Sequence, residues 1–335
     1  MSYSRKTLNL FCITNFLLLT TLCSVQTLVW GARVPSCNAP KFDGHKEVEK
    51  FEDPMVQMLD EVLRENESLG GRAAYCLTDA RMTNGLNGLS FGPNQLDLAT
   101  NTESLPYLLN LINRLTKERE EADLTDSEIG RIRNGALSKK ATLIRQDADE
   151  SLQTMMLKVN LILRSDAARQ VMNSDYANHL QQEVSAINES LKDINNKVGG
   201  RTLIAENPFA KLLILDYQNF FGKRISGLKS YLSGNTVRIG YPVKTVGPIV
   251  APASLSDLIH YALSTKQGSG AARDERPEML RRINTIVRVS KRHHGAFRTS
   301  SKDSSYFRGS LKQMLEAESV AGRGNRYAAL WELAQ

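Results

Sequence analysis

Four carboxylates, Glu65, Glu67, Asp79 and Asp97, fall in one stretch of this 335-residue chain, interleaved with Tyr75, Ser90 and Gln95. Paired carboxylates suit acid-assisted cleavage of a glycosidic bond. One carboxyl holds its proton near neutral pH and delivers it to the leaving oxygen, while the other stabilises the cationic transition state or activates water. Burial against apolar side chains is what raises the first group's pKa. Glu67 lies four residues after Leu63, beside the apolar stripe of a helix expected over 54–69, whereas Glu65 falls on the solvated side. That phase makes Glu67 the preferred acid and Glu65 the fallback, with Asp79 or Asp97 as the second carboxylate. Ser90 and Gln95 can place a water or grip an acetamido group, and Tyr75 offers a ring face for stacking. Gly88 and Gly92 permit a close approach of backbone to sugar.

The order of these residues resembles the lysozyme-like superfamily, which includes phage-type and goose-type lysozymes, pesticin-like muramidases and a family of chitosanases. Phage-type enzymes follow a helix-borne Glu with a Tyr, an Asp and a Thr-x-Gly turn, matched by Glu67, Tyr75, Asp79 and Ser90-Phe91-Gly92. Goose-type enzymes and related lytic transglycosylases close the region with Gly-x-x-Gln, matched by Gly92-Pro93-Asn94-Gln95. Chitosanases carry Glu-Asn-Ser, then a Tyr, then Asp-x-Arg, echoed by Glu65-Asn66, Tyr75, Asp79 and Arg81. The resemblance spans residues 55–101 and, more faintly, Asp216-Tyr217-Gln218-Asn219. It implies a mainly α, lysozyme-like α+β fold, a β-linked aminosugar polymer as substrate and no cofactor or metal.

The elements that must position these side chains are mostly helical. Pro54 suits a first helical turn, and Met55, Leu59, Val62 and Leu63 recur at helical spacing up to Gly70-Gly71. Turn-forming residues dominate from Cys76 to Pro93, where a short hairpin or loop is expected. Helical patterns resume at Gln95, with a stripe of Leu105, Leu108, Leu109, Ile112 and Leu115. Thr125-Asp126-Ser127-Glu128 spells a capping box. Leu152 to Met172 reads as one long apolar helix whose Leu/Met stripe over 152–163, broken by Lys158 and Asn160, is core and not membrane insert, and Tyr176 to Val198 as a polar one. Another helix opens at Asn207-Pro208. Thr236 to Ala253 reads as an extended loop or short strand pair, Ser254 opens a further helix, and Gln267 to Ala272 is a Gly/Ser-rich hinge. Arg273 to His294 carries seven Lys/Arg against three acids. Without interleaved aromatics, that segment reads as a solvated helix face and not as a specific nucleic-acid surface.

Arg5 and Lys6, the apolar run Leu8 to Cys23 and small residues up to Gly31 spell a secretory signal peptide cut after Gly31. Secretion or a periplasmic location is expected, with no stable membrane insertion after cleavage. The expected organisation is a signal peptide over 1–31, an N-terminal arm over 32–53, a lysozyme-like helical domain over 54–266 and a basic helical region over 267–335. Losing the leader's two cations takes the net charge from +7 to +5. Such a protein is attracted to carboxylate-bearing peptidoglycan and repelled by polycationic chitosan. Only Cys37 and Cys76 remain after cleavage, as one disulfide or two thiols. Adjacent His293-His294 cannot present two metal ligands on one helix face, and the chain lacks a phosphate-binding Gly loop and a Gly-x-Ser-x-Gly elbow. The readings that remain are a secreted muramidase-like hydrolase, a chitosanase-like one, a non-catalytic glycan or wall binder, and a helical effector meeting a protein partner through 273–294.

Overall fold

The computed structural model describes residues 40–66, 74–79, 88–93, 96–197, 207–221, 226–239, 244–247, 255–265, 275–294, 305–322 and 324–334. The fold is mainly helical, with fourteen α-helices and two small sheets among these residues. In chain order these are α1 (His45–Val48), α2 (Pro54–Asn66), β1 (Thr78–Asp79), β2 (Leu89–Phe91), β3 (Leu96–Asp97), α3 (Ser104–Arg114), α4 (Thr116–Glu121) and α5 (Asp126–Arg133). There follow α6 (Ala141–Asp147), α7 (Glu150–Arg164), α8 (Asp166–Lys197), α9 (Pro208–Phe221), α10 (Ser226–Leu232), β4 (Val237–Ile239) and β5 (Lys244–Val246). The chain finishes with α11 (Leu255–Ser264), α12 (Glu275–His294), α13 (Ser305–Val320), a 3₁₀ turn (Gly324–Tyr327) and α14 (Ala328–Ala334). No helix among the described residues is long and apolar enough to cross a membrane. The leader over 1–31, Cys37, Glu67, Arg81, Gln95 and the 267–272 hinge lie outside the described residues.

The chain divides into two compact units, one formed by 72–169 and the other by 41–71 with 170–335.

In the first unit the strands form an antiparallel sheet in the order β1-β2-β3, with Thr78 opposite Ser90 and Ser90 opposite Asp97. The expected hairpin is therefore a pair of strands, and a third strand stands where helix was expected to resume. The reason is Asp97, whose Oδ1 accepts from the backbone N–H groups of Ala99 (2.7 Å) and Thr100 (3.1 Å). That local turn competes with helix, so α3 starts only at Ser104. Its buried stripe is Leu108, Leu111, Ile112 and Leu115, with Leu105 and Leu109 half-buried. The capping box is present: Glu128 N–H donates to Thr125 Oγ1 (3.2 Å), and Thr125 N–H donates to Glu128 Oε2 (2.8 Å). Asp149 caps α7 by accepting from Leu152 N–H. Leu152, Met155, Met156, Val159, Ile162 and Leu163 are core. Asn160, a polar break in that stripe, is buried because its Oδ1 accepts Leu77 N–H at 2.8 Å, tying the chain before β1 to α7.

The long helix expected over 152–172 is broken at Ser165, whose backbone is extended and whose Oγ caps the next helix through Ala168 N–H (3.1 Å). From Asp166 the helix then runs unbroken to Lys197, past the division expected before Tyr176. Most of α8 belongs to the second unit, where α2, α9 and α12 pack together and α14 packs on α12. Burial of α2 goes beyond one stripe: Val56, Met58, Leu59, Val62 and Leu63 are buried, as are the polar Asp60 and Asn66. Asp60 accepts from the Tyr176 hydroxyl (2.9 Å) and pairs with Arg64 (2.9 Å). Phe42, in the expected arm, is buried edge-on against the Tyr176 ring. Thr236–Ala253 contains the β4–β5 antiparallel pair, one of the two forms expected for it.

Candidate functional site

Glu65 is in the last turn of α2, in the second unit. Its carboxylate accepts from Arg288 and from Arg292 (3.1 Å), both on α12. One turn earlier Glu61 pairs with Arg292 and with His293 (2.7 Å). Two acids four residues apart on α2 thus meet two arginines four residues apart on α12. This matching, which neutralises part of the basic segment, was not visible in either helix alone. A general acid must carry a proton, whereas Glu65 is engaged as an anion by two guanidinium groups.

The C-terminal end of α2 is fixed from α12 as well. Arg281 donates to the carbonyl oxygens of Glu65 (3.2 Å) and Asn66 (2.8 Å), two acceptors that the helix itself leaves open. Next to it, Arg282 is 1 % exposed and binds Asp216 of α9 side-on through two parallel donors, Nε to Oδ2 at 2.9 Å and Nη2 to Oδ1 at 2.7 Å. Asn66 Nδ2 donates to the same Asp216 Oδ1 at 3.0 Å. A buried carboxylate, a buried guanidinium and a buried amide therefore share one network. It ends one residue before Glu67 in the chain.

The other described candidates belong to the first unit. Asp97 receives Gly88 N–H (3.2 Å) in addition to Ala99 and Thr100, so it holds the start of β2 to the turn after β3. Gly88 is required there: a Cβ would sit 2.6 Å from Ala99 Cβ and 2.8 Å from the Lys139 carbonyl oxygen. Gly92 has φ of 78°, the left-handed region that glycine favours. Ser90 faces Asp97 across the β2–β3 pair and is 1 % exposed, and its carbonyl oxygen accepts from Thr78 Oγ1 at 3.2 Å. Tyr75 is fully buried, with the Arg169 guanidinium 5.8 Å from its ring centre. Its ring is thus a packing surface in this unit. Asp79 pairs with Leu89 across β1–β2. Cys76 is disulfide-bonded, which removes the alternative of two free thiols; the other three cysteines lie outside the described residues.

The structure thus brings Asp79, Ser90 and Asp97 into one small sheet and sets Glu65 in an ion-pair ladder. Sequence reasoning missed Arg281, Arg282, Arg288, Arg292 and the anchoring role of Asp216. Helical phase carried the signal for Arg282, which falls on the same stripe as Met279, Ile283 and Ile286. A cation at an apolar position calls for a buried anion. No group of three or more His, Cys, Asp or Glu side chains is gathered for a metal among the described residues. Compared with family models, with curated proteins and with solved structures, the chain matches none of them.

Proposed function

We propose that the protein is a secreted, lysozyme-like glycoside hydrolase that cuts a β-linked aminosugar polymer, peptidoglycan first. Glu67 is the general acid, and Asp79 or Asp97 is the second carboxylate. The observation that carries this reading is the order of parts: α2 ends at Asn66, directly before Glu67, and the chain continues into a three-stranded antiparallel sheet that carries Asp79, Ser90 and Asp97. The engagement of Glu65 by Arg288 and Arg292 supports Glu67 over Glu65 as the acid. Gln95 keeps its assignment to water or acetamido binding, while burial makes Ser90 a packing group of the sheet and Tyr75 a support for the residues before β1.

Purified cell-wall sacculi and chitosan, each incubated with the mature protein, test the reading. Sacculi should release sugar fragments, and Glu67→Gln should lower the rate at least about a hundredfold, the usual worth of a positioned acid. Glu65→Gln should keep most of the activity. No fragments from either polymer, or full activity in Glu67→Gln, would sink the proposal.

A second reading, a wall binder without turnover, is favoured by the structural engagement of Asp97, Glu65 and Tyr75. It predicts retention on insoluble wall with no fragments released.

A further inference from the structure

Glu150, Thr154, Leu157, Leu161 and Arg164 recur on α7 by alternate steps of four and three, which lines them along one face of the helix, away from its core residues. Leu157 and Leu161, 48 % and 51 % exposed, stand side by side in the middle of that face. Beside its first turn lies a surface cavity of about 550 Å³, lined by Glu128 and Arg131 of α5 and by Asp149, Glu150, Ser151 and Thr154. Glu128 is paired with Lys158, and Arg131 contacts the neutral Ser151 hydroxyl. Asp149 and Glu150 have no cationic partner among the described residues, so two carboxylates still stand against one guanidinium. At the other end of the face, Arg164 donates from Nε to the Asn160 carbonyl oxygen (3.1 Å) and meets no carboxylate among the described residues. Its Nη donors are left for an anion.

We propose that this face pairs with the same face of a second copy, antiparallel about a two-fold axis, to form a homodimer contact. With Leu157 opposite Leu161 of the second copy, three residues back along one helix and three forward along the other bring Thr154 opposite Arg164. Thr154 lines the cavity, so the arginine of each copy arrives beside the other copy's unpaired Glu150 and Asp149. One face thus carries both the acidic cavity and the arginine that fits it, the self-complementarity that an isologous contact requires. The occupant is for that reason a second copy and not an unrelated chain. A 15-residue helix, about 22 Å long, covers less than the roughly 800 Å² per partner of a stable interface, so the dimer forms with rising concentration. The pairing does not depend on the glycosidase reading.

Sedimentation velocity of the mature protein from about 1 to 100 μM tests it, and the mass should climb from monomer to dimer across that range. Leu157→Glu alters a half-exposed position and should weaken association at least about tenfold while leaving Tm near its starting value. Glu150→Arg and Arg164→Glu should each weaken it about fivefold, since each sets like charges against each other across the axis. Combining the two restores opposite charges and should recover the affinity to within about threefold of the unsubstituted chain, a gain that misfolding cannot produce. A monomer at every concentration would overturn the proposal. So would a dimer indifferent to Leu157→Glu, or a combined charge variant that associates no better than the single ones.

Discussion

Asp97 is tied to the backbone N–H groups of Gly88, Ala99 and Thr100, so its removal leaves three donors without their acceptor. Asp97→Ala should cost about 1–3 kcal/mol of stability in urea unfolding. Asp97→Asn keeps an acceptor oxygen and should cost less. If Asp97 also serves as the second carboxylate, the Asn variant should lose turnover well beyond its small loss of stability. Gly88→Ala should destabilise by about 1–3 kcal/mol through overpacking against Ala99 and Lys139, read as a lower Tm. These roles show why residue type alone underdetermines a site: the same Asp can stabilise a reaction or satisfy a turn. Only the hydrogen-bond partners separate the two. The pairing of Glu65 with arginines more than two hundred positions away was equally beyond reach, because no local pattern records which distant helix an acid meets.

The elements that could be read from sequence were those whose signals are local. The capping box at Thr125 and Glu128 and the Asn207 cap on α9 need only a few neighbouring residues, and both were legible. Two-residue strands such as β1 and β3 have no periodicity to read, whereas the break at Ser165 carries a local polar signal, Arg164-Ser165-Asp166, that the apolar positions on either side outweighed. Thr125→Ala should cost about 1 kcal/mol, as loss of an N-cap does. The buried Arg282–Asp216 pair predicts a larger and more diagnostic response. Arg282→Met strands the carboxylate and should cost about 3–5 kcal/mol, whereas adding Asp216→Leu to it should restore much of the loss. Equal instability of the single and double variants would show that the pair matters for more than compensation of charge.

Across the whole molecule, acid acts on the two units in opposite directions. In the second unit, burial pushes the Asp60 carboxyl above its ordinary 3.8, against the pull of the Arg64 guanidinium and the Tyr176 hydroxyl. The folded chain then holds that proton more tightly than the unfolded chain, so this contribution is complete below pH 3.8 and is lost as pH rises through the folded value. In the first unit, burial raises Glu128, but hydrogen bonds from Thr125 and Lys158 outweigh it and hold the carboxyl below 4.5. That contribution is present above pH 4.5 and is lost as pH falls through the folded value. Unfolding followed by hydrogen exchange should therefore show the α2 amides gaining protection relative to those of α5 as the pH falls toward 4. Asp60→Asn should remove the gain in α2. The contacts between α12 and α2 set a further condition. Arg281 engages the end of α2, while Arg288 and Arg292 engage Glu65 and Glu61 farther along α12. Deleting a single residue between positions 282 and 288 would rotate one group of arginines by about 100° relative to the other. Substitutions in that interval can be absorbed one at a time, but its length cannot change, so this stretch of the gene should tolerate spelling changes and reject insertions or deletions.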